Sequence, residues 1–158
     1  MWQSHSIARG APVGSLAMHV MDEEEWRAFA SHGTRTGKLA TTRADGRPHV
    51  VPIWFVLDGT DVVLTTGARS VKGRNLRRDG RACLCVDDQA PLYSFVMIEA
   101  TATISEDLDA LRDWATRIAV RYMGAERGAE FGARNAVAGE LLVRLTPSHV
   151  LAQADTAA

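Results

Sequence analysis

Long apolar runs, an excess of one charge and clusters of metal ligands are all missing from these 158 residues. No uninterrupted apolar stretch approaches the roughly 20 residues of a membrane-crossing helix. A formal charge of −1 leaves no global field to gather nucleic acid or an acidic membrane. Neither partner is expected. Met1 to Gly14 lacks a basic start followed by an apolar core and a small-residue cleavage site, so the expected location is cytoplasmic. Cysteine occurs only at Cys83 and Cys85, a spacing that places both on one face of a strand without an unstrained bridge, and they read as small buried hydrophobes. A Cys-x-Cys pair can ligate zinc, but the histidines (His5, His19, His32, His49, His149) are scattered and no second pair stands at ligand spacing, so no metal site is expected. Also missing are Gly-x-Ser-x-Gly, His-Glu-x-x-His and Gly-x-Gly-x-x-Gly, the marks of a nucleophile elbow, a zinc peptidase helix and a dinucleotide loop. Lysine is nearly absent, with Lys38 and Lys72 standing among sixteen arginines.

What is present centres on Val62 to Asp79. Val62 to Thr66 is β-branched and apolar like a strand, and Gly67 breaks it before a segment that can be helical from about Ser70. Free N–H groups at a helix start, the positive end of its dipole, and the hydroxyls of Thr65, Thr66 and Ser70 suit a phosphate or another dianion. Lys72 and Arg69 would add charge there. An ordinary strand-to-helix turn with a solvated basic face fits the same residues.

Around this stretch, Met1 to Val20 reads as an arm, residues 21–153 as one domain and residues 154–158 as a tail. Asp22 with Glu25 resembles a capping box before a short helix carrying Trp26, Phe29 and Ala30. Strand periodicity follows over Lys38 to Arg43, Pro48 to Leu57 and Asp61 to Thr66, joined by Asp-Gly turns at Asp45-Gly46 and Asp58-Gly59 into a meander. Arg81 to Val86 and Tyr93 to Ile104 continue as strands. Asp107 to Met123 is an amphipathic helix, Gly124 to Gly139 is irregular or holds a short helical turn, and Leu141 to Thr146 is a last strand that Pro147 interrupts. Six short strands with one long helix predict a mainly β (α+β) chain: a small antiparallel barrel with helical cover.

The order of motifs resembles the split-barrel flavin and deazaflavin oxidoreductases, the pyridoxamine-phosphate-oxidase-like superfamily. The residues that carry the likeness are Gly37 to Thr42, Asp45 to Phe55, Thr65-Thr66-Gly67, Ser70-x-Lys72-x-x-Asn75-Leu76-Arg77-Arg78-Asp79 and Glu99 to Ala102. The Lys-x-x-Asn-Leu-Arg-Arg-Asp run looks like the branch that uses the deazaflavin coenzyme F420, and less like the branch that binds FMN. The resemblance implies a six-stranded split barrel and a homodimer with two identical sites between subunits. It implies coenzyme phosphate at Ser70, Lys72 and Asn75, with Thr65 and Thr66 closing the preceding strand. The ring would lie along Val51, Pro52 and Trp54, and Tyr93 would reach it from the other subunit.

Other readings stay open for several of these residues. Trp54 and Tyr93 also fit core or interface aromatics. Pro52 lacks a ladder donor and is expected at an edge, a bulge or a ligand-facing surface. Arg74, Arg77 and Arg78 fit either a solvated helix face or a contact with the coenzyme's acidic oligoglutamate tail, and His49 fits either a substrate polariser or a surface residue. The leading expectation is an F420H2-dependent reductase passing a hydride to a biliverdin-like, quinone, nitroaromatic or enone acceptor. The coenzyme carries such chemistry and needs no catalytic triad. The alternatives are an FMN-dependent oxidoreductase on the same fold and a coenzyme-binding protein without turnover.

Overall fold

The computed structural model describes residues 18–158. The expected arm lies outside this span except for its last three residues, of which His19–Val20 form strand β1. Helix α1, Glu23–Ser31, starts on the capping box read from the sequence. The Asp22 carboxylate accepts from the Glu25 N–H at 2.9 Å and the Glu25 carboxylate from the Asp22 N–H at 2.8 Å, satisfying two donors that a helix start leaves orphaned.

Strands β2 (Gly37–Thr42) and β3 (Pro48–Ile53) form a hairpin across Asp45-Gly46, where Gly46 takes φ +85°. The expected second strand does not run on to Leu57. It stops at Ile53 and resumes as β4 (Val56–Asp58), which turns back into β5 (Asp61–Gly67). Val50 to Leu57 is an unbroken apolar run, so periodicity carries no sign of the break. Helix α2 (Val71–Arg78), β6 (Arg81–Asp88), β7 (Ser94–Ser105), α3 (Leu108–Met123), α4 (Ala125–Asn135) and β8 (Glu140–Ala154) complete the chain.

All strand pairs are antiparallel, in the order β3-β2-β6-β7-β8-β5-β4, with β1 added to β8. The ends of that order, β3 and β4, are joined only by Trp54 and Phe55. Three residue steps span at most ~11 Å, so the sheet curls until its edges approach while no ladder closes them. The predicted split-barrel class therefore holds, with eight strands instead of six. The expected three-strand meander does not form, because β5 pairs with β4 and β8 and never with β3. Pro52 stands on edge strand β3, as its missing N–H requires.

Two further expectations are corrected. Pro147 does not end the last strand: Glu99 pairs with His149 and Ala100 with Pro147, so Ser148 is the extra residue of a bulge, and its hydroxyl donates to the Glu99 carbonyl at 3.1 Å. Gly124 to Gly139 holds an eleven-residue helix, α4. Its Gly128 and Gly132 face α3 so closely that a Cβ at either would enter the side chain of Val120 or Thr116. The two glycines cost about 1 kcal/mol each in helix propensity, and close packing of the two helices offsets it.

The barrel interior is filled by Leu39, Phe55, Leu64, Leu84, Ile98, Leu141 and their neighbours, with Trp26 of α1 capping one side. Helix α3 covers the outer side of β5 and β8 through Leu111, against Val63 and Leu142. Strand β5 therefore buries residues of both faces. Cys83 and Cys85 are half-buried on the outer face, because Ala82, Leu84 and Val86 take the inner one. Partial burial pushes both thiols up, which disfavours the nucleophilic thiolate. Residues 154–158 are tied down: the Thr156 N–H and hydroxyl donate to the Tyr93 carbonyl at 2.9 and 3.1 Å, and the Ala157 N–H to Leu92 at 3.1 Å. No helix among the described residues is long and apolar enough to cross a membrane.

Candidate functional site

The outward residue of β5 after Val63 is Thr65, and α3 with α4 stands over it. Between them and the β3–β4 crossover lies a cleft of about 280 Å³, lined by Pro52, Trp54, Thr65 and Lys72 on one side and by Ile118, Phe131 and Asn135 on the other. Four of the nine residues predicted for the site thus meet in one place.

The sequence places Lys72 there through the start of α2. Ser70 is the N-cap, its hydroxyl accepting from the Gly73 N–H at 3.0 Å and bonding the Thr66 hydroxyl at 3.0 Å. Gly73 is required, since a Cβ would run into the Gly67 carbonyl. The N–H groups of Val71 and Lys72 remain the helix's free first donors. The Lys72 ammonium has no carboxylate partner among the described residues. All three arginines read as possible tail contacts are engaged within the chain: Arg77 pairs with Glu106, while Arg78 donates to the Thr42 carbonyl and to Asn75 Oδ1. Arg74 donates to the Arg69 carbonyl at 2.6 Å.

The other predicted residues stand behind or away from the cleft. Thr66 is buried and supports Ser70. Asn75 is buried too, its amide donating to Thr41 Oγ1 at 3.0 Å, so it locks α2 onto β2. Val51 packs against the barrel interior. Tyr93 is exposed at the start of β7, with φ +59°, outside the cleft of its own chain. His49 lies beside Arg43, 3.5 Å from its guanidinium, and does not line the cleft.

Sequence reading missed the helical wall. Phe131 and Asn135 belong to α4, which its glycines disguise, and Tyr122 looked like one more apolar position of α3. Trp54 stacks on Tyr122 with centroids 5.0 Å apart and planes 2° apart, and meets Phe131 at 6.3 Å and 53°. Burial pushes the Tyr122 phenol up and the Arg121 guanidinium down. A larger hollow of about 520 Å³ opens on the outer face of β2, β6 and β7. Its arginine, Arg81, is bound to Asp79 and its wall includes Glu99, so it offers an anion little.

An antiparallel split barrel whose crossover, β5 end and α2 start share one cleft can be compared with known proteins. The profile of the pyridoxamine 5'-phosphate oxidase family matches residues 9–154. The chain belongs to that family. Among curated proteins, the F420H(2)-dependent biliverdin reductase of Mycobacterium tuberculosis is 42% identical over 87 residues, covering 53% of this chain and 61% of that protein. The chain thus spans about three-fifths of the length of this relative. A conserved hypothetical protein of Mycobacterium tuberculosis superposes with a TM-score of 0.76 at 29% identity, covering 87% of this chain and 88% of that one. A solved F420 reductase superposes with a TM-score of 0.62 at 21% identity over 78% of this chain and 94% of its own, which bears on the fold alone. A shared fold does not fix the chemistry, so the site decides it.

Proposed function

We propose that the chain is an F420H2-dependent reductase that passes a hydride from reduced deazaflavin to a planar, conjugated organic acceptor of the biliverdin-like, quinone, nitroaromatic or enone class. The observation that carries this reading is the Lys72 ammonium at the start of α2, without a carboxylate partner among the described residues, lining the same cleft as Trp54. The 42% identity to an F420H(2)-dependent biliverdin reductase supports it.

The residues present fit the coenzyme's two ends. Lys72, Thr65 and the free N–H groups of Val71 and Lys72 would hold the phosphate, with Ser70 and Thr66 shaping the turn and Asn75 anchoring the helix. Pro52 and Trp54 would bear the ring, with Val51 setting the strand behind them. When bound, the coenzyme supplies the hydride donor. The chain's own part is to orient that ring, to align an acceptor against it and to exclude water with the apolar wall of Ile118 and Phe131. No residue needs to act as a nucleophile.

At about 280 Å³ the cleft lies below the ~300–1,000 Å³ typical of pockets that enclose a whole drug-sized ligand. A second copy of the chain would cover the remainder, as a homodimer in which the partner subunit's Tyr93 completes the ring site. Exposed Tyr93 and the outward Phe95 and Met97 of β7 suit such a contact.

The test is oxidation of reduced F420, followed by absorbance, with biliverdin, menadione, a nitroimidazole and an unsaturated lactone as acceptors. Turnover with at least one acceptor, and none with FMN in place of F420, is expected. Turnover with FMN alone would replace this reading by the flavin-dependent one.

A further inference from the structure

The crossover that gives the cleft its aromatic wall is held by two consecutive residues of α3. Phe55, which follows Trp54, has its carbonyl 2.8 Å from an Arg121 guanidinium nitrogen and its N–H 3.4 Å from the Tyr122 hydroxyl oxygen, with the chain donating in the second case and accepting in the first. The Tyr122 hydroxyl in turn donates to the Arg35 carbonyl at 2.8 Å. Arg121 also donates to the carbonyls of Ala30 (2.8 Å) and Gly33 (2.9 Å) at the end of α1. Its fork therefore ends on backbone carbonyls and, among the described residues, on no carboxylate.

Such a cation is well placed at a helix C-terminus, and the Tyr122 hydroxyl satisfies the Phe55 N–H and the Arg35 carbonyl. A phenylalanine would supply the same stack against Trp54 and nearly the same apolar area. What the hydroxyl adds is a tether at the ring's tip, to the Phe55 N–H and the Arg35 carbonyl, that stops the ring from sliding along the indole. Tyr122 lies flat on one face of Trp54 and Phe131 meets it at a tilt, and the 40% of Trp54 still exposed is the surface these two rings leave uncovered, beside the cleft that Trp54 lines.

We infer that Arg121 and Tyr122 are positioning residues that set the plane of Trp54, so that its free face is a preformed platform for a planar ring in the cleft. The inference rests on the reading of the cleft as a coenzyme site. Two jobs are then separate: Lys72 and Thr65 grip charge, whereas Arg121 and Tyr122 touch no ligand and act through Trp54. Preorganisation of this kind raises affinity by removing an ordering cost that binding would otherwise carry.

The test is a double-mutant cycle read by calorimetry with the coenzyme's ring-and-ribityl fragment, which lacks the phosphate. Tyr122→Phe keeps the stack and is expected to weaken the fragment about fivefold while the melting temperature stays within a few degrees. Trp54→Ala should weaken it at least as much, and the double variant should lose no more than Trp54→Ala alone. Arg121→Lys, which keeps the charge but not the fork, should follow Tyr122→Phe. Additive losses, or a Tyr122→Phe protein that binds the fragment like wild type while Trp54→Ala does not, would overturn the positioning role and leave the cleft as a ring site. Wild-type affinity in Trp54→Ala would instead overturn both readings together.

Discussion

Lys72 is the residue whose surroundings say most. An ammonium with no carboxylate partner among the described residues, set beside helix-start N–H groups, is arranged for a ligand that brings its own charge. If it makes a charge-assisted hydrogen bond to the coenzyme phosphate, Lys72→Ala should lose about 1.5–3 kcal/mol of binding, or roughly tenfold to a hundredfold in Kd. Lys72→Arg should restore only part, because a planar fork does not replace a compact ammonium. Rising salt should narrow the gap between wild type and variant. A second residue-scale expectation concerns acid. The Arg81 side chain and N–H hold the Asp79 carboxyl down to about 2, below its unfolded value near 4. A depressed carboxylate stabilises the fold above its unfolded pKa, and that contribution fades as pH falls from about 4 to about 2. Acid unfolding of Arg81→Ala, followed by circular dichroism, should begin at higher pH than in wild type. Identical acid transitions would show that this exposed pair contributes nothing measurable.

At the scale of elements, α4 decides how the cleft is walled. Gly132→Ala would push a Cβ into Thr116 Oγ1, with the Arg112 carbonyl 3.2 Å away on the other side. Relief comes from turning Thr116 or from α4 backing off from α3, and the close Thr116 Cβ and Arg112 carbonyl favour the second, which carries Phe131 with it. A loss of about 1–3 kcal/mol in stability is expected from such overpacking, together with weaker ring binding. A variant as stable as wild type in urea would show that the helices do not approach so closely. This element also marks the limit of sequence reading. Capping boxes, Asp-Gly hairpins and the Ser70-x-Lys72 turn were legible because each depends on residues within four positions of one another. The α4 helix was not, since Gly128 and Gly132 argue locally against a helix and only the facing α3 surface explains them. The break at Trp54-Phe55 was hidden for a related reason: an unbroken apolar run crosses it, and the groups that take up the Phe55 carbonyl and N–H there, Arg121 and Tyr122, come from far along the chain. Asn75, grouped with the phosphate ligands by motif, turned out to be buried against Thr41, a placement that a sequence spacing does not contain.

For the whole molecule, the half-exposed outer face of β6 and β7 and a cleft too small for a complete coenzyme lead to the same expectation, a homodimer with two shared sites. Light scattering at micromolar concentration should give twice the chain mass, and Tyr93→Ala should weaken coenzyme binding without lowering thermal stability. A monomer, or a Tyr93→Ala protein that melts far below wild type, would remove Tyr93 from the site. Which coenzyme enters the cleft, and what holds it there, decides what the molecule does. Calorimetric titration of the wild-type chain and Lys72→Ala with F420 and with FMN measures both at once. The expected result is one F420 site per chain, tighter than FMN and weakened at least tenfold in the variant. Tighter binding of FMN, or equal F420 affinity in wild type and a folded Lys72→Ala, would contradict it.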